Sequence, residues 1–221
     1  MRENKNIKCK REKKIQVKKY KNIVFDVGEV LTTYNFAGVM ADKYGYDKEE
    51  MSRIIRTLGK DELWSEFDYE NYTFYQVIDL FCEKYKEDEK NIRAMFDHMG
   101  EFAVPYYDIW DLLPELKKVG YKLFLLSNYS STTFQMQLGD GYFLNYIDGC
   151  LFSHEIHEIK PHPIIYQKFF EKNNLVPSEC LFFDDREINV NGAIDMGMDA
   201  IRVTSKDFLK GKLLELIEIA K

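Results

Sequence analysis

The sequence predicts an α/β protein: a doubly wound parallel-sheet core interrupted by an inserted α-helical module. Three observations lead there. Short apolar runs, each ending in a polar residue, recur along the chain; amphipathic stretches separate them; and between residues 35 and 105 helical periodicity stands alone. Continuous apolar strands alternating with helices indicate a parallel sheet covered on both faces.

The first run, Ile23-Val24-Phe25, ends at Asp26 with Gly28 just beyond, which fits a buried strand and a turn. Residues 121–126 repeat the pattern and end at Ser127-Asn128; Cys180-Leu181-Phe182-Phe183 ends at Asp184-Asp185. Residues 149–152 and 200–203 are shorter candidates of the same kind. Asp111 is expected to cap a helix with Pro114 in its first turn and Gly120 as its terminator. Further helices are expected over 163–173 and 187–196, and Leu209, Leu213, Leu216 and Ile217 form the stripe of a last one. Inside the insert, Phe74, Val77, Ile78, Phe81 and Tyr85 lie on one helical face, and Ile92, Met95, Phe96 and Met99 on another. Phe36, Val39 and Met40 begin a third. About seventy residues without a strand can form a small bundle.

Composition narrows the class. The 221 residues are 45% apolar, with 16 Phe and 15 Tyr, enough for a large core and too apolar for a disordered chain. No run approaches the ~20 apolar residues of a bilayer span, and the start lacks the apolar stretch of a secretory signal. Cys9, Cys82, Cys150 and Cys180 form no CxxC pair, which argues against a zinc finger or a disulfide framework. The expectation is a soluble cytoplasmic protein. Net charge is −6, yet residues 1–22 carry +8 and the remainder −14. Residues 1–19 read as a solvated basic leader, and nucleic-acid binding is not expected from it alone.

Three strand ends deliver polar groups to one edge: Asp26, Ser127-Asn128 and Asp184-Asp185. In an open parallel sheet those ends converge on the ligand crevice. Lys160-Pro161, ahead of another helix, can add a cation. Carboxylates with one lysine suit a hard divalent cation and a phosphate better than zinc. A single aspartate at a strand end can do no more than cap a helix; the ordered set is harder to explain that way. His154 and His157 stand three apart, against four in a zinc-protease helix, and read as surface histidines.

Taken in order, Phe25-Asp26-Val27-Gly28-Glu29-Val30-Leu31, Leu126-Ser127-Asn128, Lys160-Pro161 and Phe182-Phe183-Asp184-Asp185 resemble the four motifs of the haloacid dehalogenase-like hydrolase superfamily. The likeness covers about residues 20–215, and the helical insert is similar to that family's C1 cap. The first motif, Asp-x-Gly-x-Val, looks like that of its sugar-phosphate phosphatases. The resemblance implies a Rossmann-like core at 20–34 and 105–221 and a cap at 35–104. It also implies Mg2+-dependent hydrolysis of a small phosphorylated metabolite through an aspartyl-phosphate. Asp26 would be the nucleophile. Asp26, the Gly28 carbonyl and Asp185 would bind the metal, with Asp184 a ligand or just outside it. Ser127 and Asn128 would hold a phosphoryl oxygen, and Lys160 would neutralise phosphate and orient Asp26. Asn189, where many relatives are acidic, would support the ligands from behind.

Gly28 departs from the pattern, because most phosphatases of this superfamily carry an Asp acid–base there. Its loss typically costs ~10²–10⁴-fold in rate. Glu29, the nearest carboxylate, is expected to point away. Two other readings compete: a non-catalytic phosphate-binding regulator, and a metal-free dehalogenase, which does not normally keep the Asp184-Asp185 pair. Trp64 and Phe67 are candidates to face substrate. The metabolite and the choice between monomer and homodimer stay open.

Overall fold

The computed structural model describes residues 20–221; the basic leader at 1–19, with Cys9, lies outside the described residues. Five parallel strands make the main sheet in the order β5-β4-β1-β6-β7. They are β1 (Asn22–Phe25), β4 (Lys122–Ser127), β5 (Gly149–Phe152), β6 (Cys180–Asp184) and β7 (Asp199–Arg202). Within them, alternate residues feed opposite cores. Ile23, Phe25, Leu123, Leu125, Leu181 and Phe183 enter one. Val24, Phe124, Leu126, Cys180 and Phe182 enter the other. Both faces are covered, so the strands are apolar without alternation.

One face packs on α6 (Tyr107–Trp110), α7 (Leu113–Lys118), α8 (Ser131–Leu138) and α11 (Lys206–Ala220), the other on α9 (Pro163–Asn173) and α10 (Glu187–Asp195). The sheet is therefore doubly wound, as expected. Asp111, by contrast, does not cap α7. It closes α6, and its carboxylate accepts from the Tyr142 hydroxyl at 2.7 Å, while Leu112 occupies the capping position with no side-chain bond. A sequence window cannot see that competing partner 31 residues away.

After β1 the chain turns through Gly28 into β2 (Thr32–Tyr34), which pairs antiparallel with β3 (Ala103–Pro105). Strands of three residues show no period, and none was expected here. Between them run α1 (Phe36–Tyr44), α2 (Lys48–Leu58), α3 (Trp64–Tyr69), α4 (Phe74–Lys84) and α5 (Glu89–Asp97). These helices bury Met40, Met51, Phe67, Val77, Phe81 and Phe96 together in a third core. Helix α4 opens with a capping box, Thr73 against Gln76, two donors satisfied reciprocally. No helix among the described residues is long and apolar enough to cross a membrane.

Candidate active site

Asp26 follows β1, Ser127 ends β4 and Asp184 ends β6, so the three central strands bring them to one edge of the sheet. Backbone pairing carries the order past β1: Asp26 N–H donates to Phe183 O at 2.9 Å. The indole of Trp110 pins the loop beyond, donating to Leu31 O at 2.7 Å.

Around Asp26 the donors are already assigned. Its Oδ1 accepts from Ser127 Oγ at 2.6 Å, Val27 N at 2.8 Å and Lys160 Nζ at 3.0 Å. Among the described residues Oδ2 makes no hydrogen bond. Lys160 is buried and spends all three ammonium protons, on Asp26, on Asp184 Oδ2 at 2.7 Å and on Leu126 O at 2.9 Å. Its ammonium also lies 5.1 Å from the Phe182 ring centroid. Asn128 clasps the Lys160 backbone, accepting from its N–H at 2.7 Å and donating to its carbonyl at 3.1 Å. Ser127, Asn128 and Lys160 thus hold one another and Asp26 in place.

Asp184 is enclosed. Its Oδ1 accepts from Arg186 N at 2.8 Å, and Asn189 Nδ2 reaches both oxygens at 3.1 Å. Asp185 next to it is half-buried, and its carboxylate makes no side-chain hydrogen bond among the described residues. Asp26, Asp184 and Asp185 each offer an oxygen within 4.8 Å of the others.

Burial pushes the Asp26 carboxyl up to about 7; Lys160 opposes the rise and Asp184 adds to it. Asp185 is raised by burial and by the charge of Asp184. For Lys160, burial works against the ammonium, but Asp184 and Asp26 outweigh it and its pKa rises. Three carboxylates facing one committed lysine leave an excess of negative charge. The donors are hard oxygens, and Asn189 Oδ1 beside them is buried with no donor. Those features fit a small divalent cation with its waters.

The cavity in front of Asp26 holds about 470 Å³. Trp64, Phe67, Tyr34, Phe36 and Met99 supply its apolar walls, so both aromatic candidates from the insert do face it. Three contacts draw α3 over the strand ends. Ser153 Oγ donates to Asp68 O at 2.6 Å, His157 Nδ1 to Tyr69 O at 2.7 Å, and Ser131 Oγ to Glu70 Oε1 at 2.5 Å. His157 is exposed as expected, yet His154 is half-buried, bonded to Tyr129 O at 2.7 Å and stacked on Phe152.

The space beside Gly28 is filled. A Cβ there would stand 3.1 Å from the Tyr34 hydroxyl. That hydroxyl lies 2.8 Å from Tyr129 Oη, which donates to Gln137 Oε1 at 2.5 Å, while Gln137 Nε2 donates to Met99 O at 2.8 Å. A carbonyl can only accept, so it sets the direction of the whole chain, and Tyr34 is the donor to Tyr129. Gly28→Asp alone should therefore overpack the site. A loss of ~1–3 kcal/mol in stability is expected, with reduced rather than restored activity. Thermal unfolding and initial rates of Gly28→Asp, with and without Tyr34→Ala, check it; a fully active, equally stable single variant refutes the packing argument.

Sequence reasoning missed Tyr34 in this position, and it missed Asp68, which also lines the cavity. Both lie on short elements with no periodicity to mark them. Glu29 lines the cavity too, but both its oxygens accept from Thr33 Oγ1 at 3.0 Å, and burial raises its pKa.

Comparison with known proteins follows the same lines. A family model described as haloacid dehalogenase-like hydrolase matches residues 14–203. The (S)-2-haloacid dehalogenase 4A of Burkholderia cepacia is 26% identical over 187 residues, 81% of this chain and 81% of that protein. Pyrophosphatase PpaX of Bacillus cereus (strain G9842) is 25% identical over 154 residues, 61% of this chain and 71% of its own. Among solved structures, a dehalogenase with an intermediate complex superposes with a TM-score of 0.68 at 22% identity, covering 88% of this chain and 92% of its own. A family enzyme from Bacteroides thetaiotaomicron, in complex with magnesium and inorganic phosphate, gives 0.65 at 23%, covering 84% and 95%. At these identities the two structures speak for the fold.

Proposed function

The chain belongs to the haloacid dehalogenase-like hydrolase family and is a hydrolase, and within that family we propose that it is a magnesium-dependent phosphatase of a small phosphorylated metabolite. The observation that supports this reading most is the cluster of Asp26, Asp184 and Asp185, with oxygens within 4.8 Å of one another. Asp26 attacks phosphorus through the oxygen that no protein donor occupies, and the bond from phosphorus to the leaving oxygen breaks. Water then attacks the aspartyl-phosphate, releasing phosphate and the free Asp26 carboxylate. Ser127 and Lys160 orient Asp26 through its other oxygen. Asp185 and the Gly28 carbonyl would hold magnesium beside Asp26, with Asp184 close by, and the metal would neutralise phosphoryl charge.

A cavity of about 470 Å³ with aromatic walls suits a small molecule, a sugar phosphate being one candidate. The contacts of α3 across the strand ends would exclude bulk water. The likeness to pyrophosphatase PpaX places inorganic pyrophosphate in the same test panel. A second reading, displacement of halide from a 2-haloacid by Asp26 without a metal, is favoured by the likeness to (S)-2-haloacid dehalogenase 4A. Against it stands the Asp184-Asp185 pair, for which that chemistry has no use.

Sugar phosphates, aryl phosphates, pyrophosphate and 2-haloacids should be assayed in magnesium and in excess chelator. Phosphate release that needs magnesium is expected. Halide release that survives the chelator, with no phosphate release, sinks the phosphatase reading.

A further inference from the structure

We propose that Asp68, carried by the helical insert, is the general acid and base of this site, replacing the acidic side chain missing at position 28. The proposal rests on the phosphatase reading. Geometry supports it from two sides. Helix α3 is tied to the core through the residues at its end: the Asp68 carbonyl accepts from Ser153 Oγ at 2.6 Å and the Tyr69 carbonyl from His157 Nδ1 at 2.7 Å. Ser153 is itself fixed, accepting from Tyr129 N at 3.0 Å directly after the Ser127-Asn128 turn. The backbone of Asp68 is thus held against the loop that places Ser127 on Asp26. Asp68 lines the same cavity as Asp26, and its carboxyl lies within reach of the charges of Asp26, Lys160 and Arg186.

Every other candidate in the cavity is committed or unsuited. Tyr34, which fills the space of the missing side chain, donates its proton to Tyr129, and Tyr129 donates to Gln137. Lys160 has no ammonium proton to spare. Glu29 is turned onto Thr33, whose single hydroxyl proton its two oxygens share. Arg186 cannot give up a proton near neutral pH. Asp26 and Asp185 serve as nucleophile and metal ligand in the reading on which this proposal rests. Asp68 is a half-buried residue, and its carboxyl takes part in no hydrogen bond or ion pair among the described residues. Burial, and then the charge of Asp26, push it up to about 7, against the pull of Lys160 and Arg186. A carboxylic acid in that range can both give and take a proton near neutrality.

The steps balance. As Asp26 attacks phosphorus and the ester bond breaks, protonated Asp68 gives its proton to the leaving oxygen, forming the free alcohol. The resulting Asp68 carboxylate then takes a proton from the water that attacks the aspartyl-phosphate. The bond from phosphorus to Asp26 breaks, orthophosphate leaves, and both aspartates return to their starting states.

The test compares wild type, Asp68→Asn and Asp68→Glu on phosphate esters of graded leaving-group pKa, with magnesium and circular dichroism controls. Asp68→Asn should lose ~10²–10⁴-fold in kcat/KM on alkyl esters. On p-nitrophenyl phosphate, whose leaving group needs no proton, formation of the phosphoenzyme should fall by less than about tenfold. A burst of nitrophenolate should then appear, because water attack on the aspartyl-phosphate has lost its base. Asp68→Glu should recover part of the alkyl-ester rate. Where the amide variant does not fold, Asp68→Ser gives the same readout. A purely structural role, such as loosening α3, would lower all esters alike without a burst; that result overturns the proposal. Wild type that hydrolyses no ester overturns the phosphatase reading and this proposal with it, which separates the two failures.

Discussion

Asp26→Asn is expected to abolish turnover while the protein stays folded. Loss of a catalytic nucleophile removes the chemical step itself, and at least ~10⁴-fold is expected in kcat. The amide is nearly isosteric, so Ser127 and Val27 keep an oxygen to donate to, and Lys160 keeps Asp184 as a buried counterion at 2.7 Å. Stability should move the other way from activity. The folded-state pKa of Asp26 is raised, by burial above all, to about 7 from its ordinary 3.8. Between those values the native state binds more protons than the unfolded state, so stability falls as pH rises through the window. In magnesium-free buffer, Asp26→Asn should therefore melt higher than wild type above pH 7, and the gain should vanish toward pH 4. An active, folded Asp26→Asn would remove Asp26 from the mechanism. A variant that melts lower at pH 8 would show that the carboxylate is a net stabiliser.

What the sequence made legible was whatever follows from periodicity and strand ends. The buried strands announced themselves because both sheet faces are covered, and each run stops where its strand stops, within a residue at β4, β6 and β7. Strand ends of a parallel sheet converge, so Asp26, Ser127 and Asp184 fell together without any knowledge of the turns between them. Lys160 is different: no strand carries it, so the sequence pattern offered it only as a possible cation ahead of a helix, and its role came from the resemblance. The pieces that stayed hidden depend on contacts far apart in sequence. Tyr34 faces Gly28 because β2 folds back on the turn, and its hydroxyl is ordered by Tyr129, 95 residues on. Asp68 reaches the cavity because Ser153, 85 residues away, takes hold of its carbonyl. Local patterns contain no trace of such pairings. Gly28 read as a missing function, whereas the space is occupied and the function has another candidate.

The adjacent aspartates 184 and 185 should fail in opposite ways, although their side chains differ by one position. The Asp185 carboxylate bonds to no other residue among the described residues, so Asp185→Ala breaks no tie between residues and even relieves a carboxyl whose pKa burial has raised. What it removes is a free hard-oxygen ligand. Activity in magnesium should drop by more than the ~10–100-fold that outer supporting residues cost, and the rise in melting temperature on adding magnesium should disappear, since a ligand stabilises only what it binds. Asp184 is fully buried and answers to Lys160, Arg186 N and Asn189 at once. Removing one partner of a buried ion pair costs ~3–5 kcal/mol, so Asp184→Ala should melt well below wild type even without metal. Asp184→Asn, which keeps the shape, separates folding from metal binding: it should recover part of the stability and still respond to magnesium. The order of the two aspartates is thus readable from two melting curves and one titration. If Asp185→Ala keeps full activity in excess chelator, the free carboxylate is not a ligand, and metal-free displacement by Asp26 takes first place.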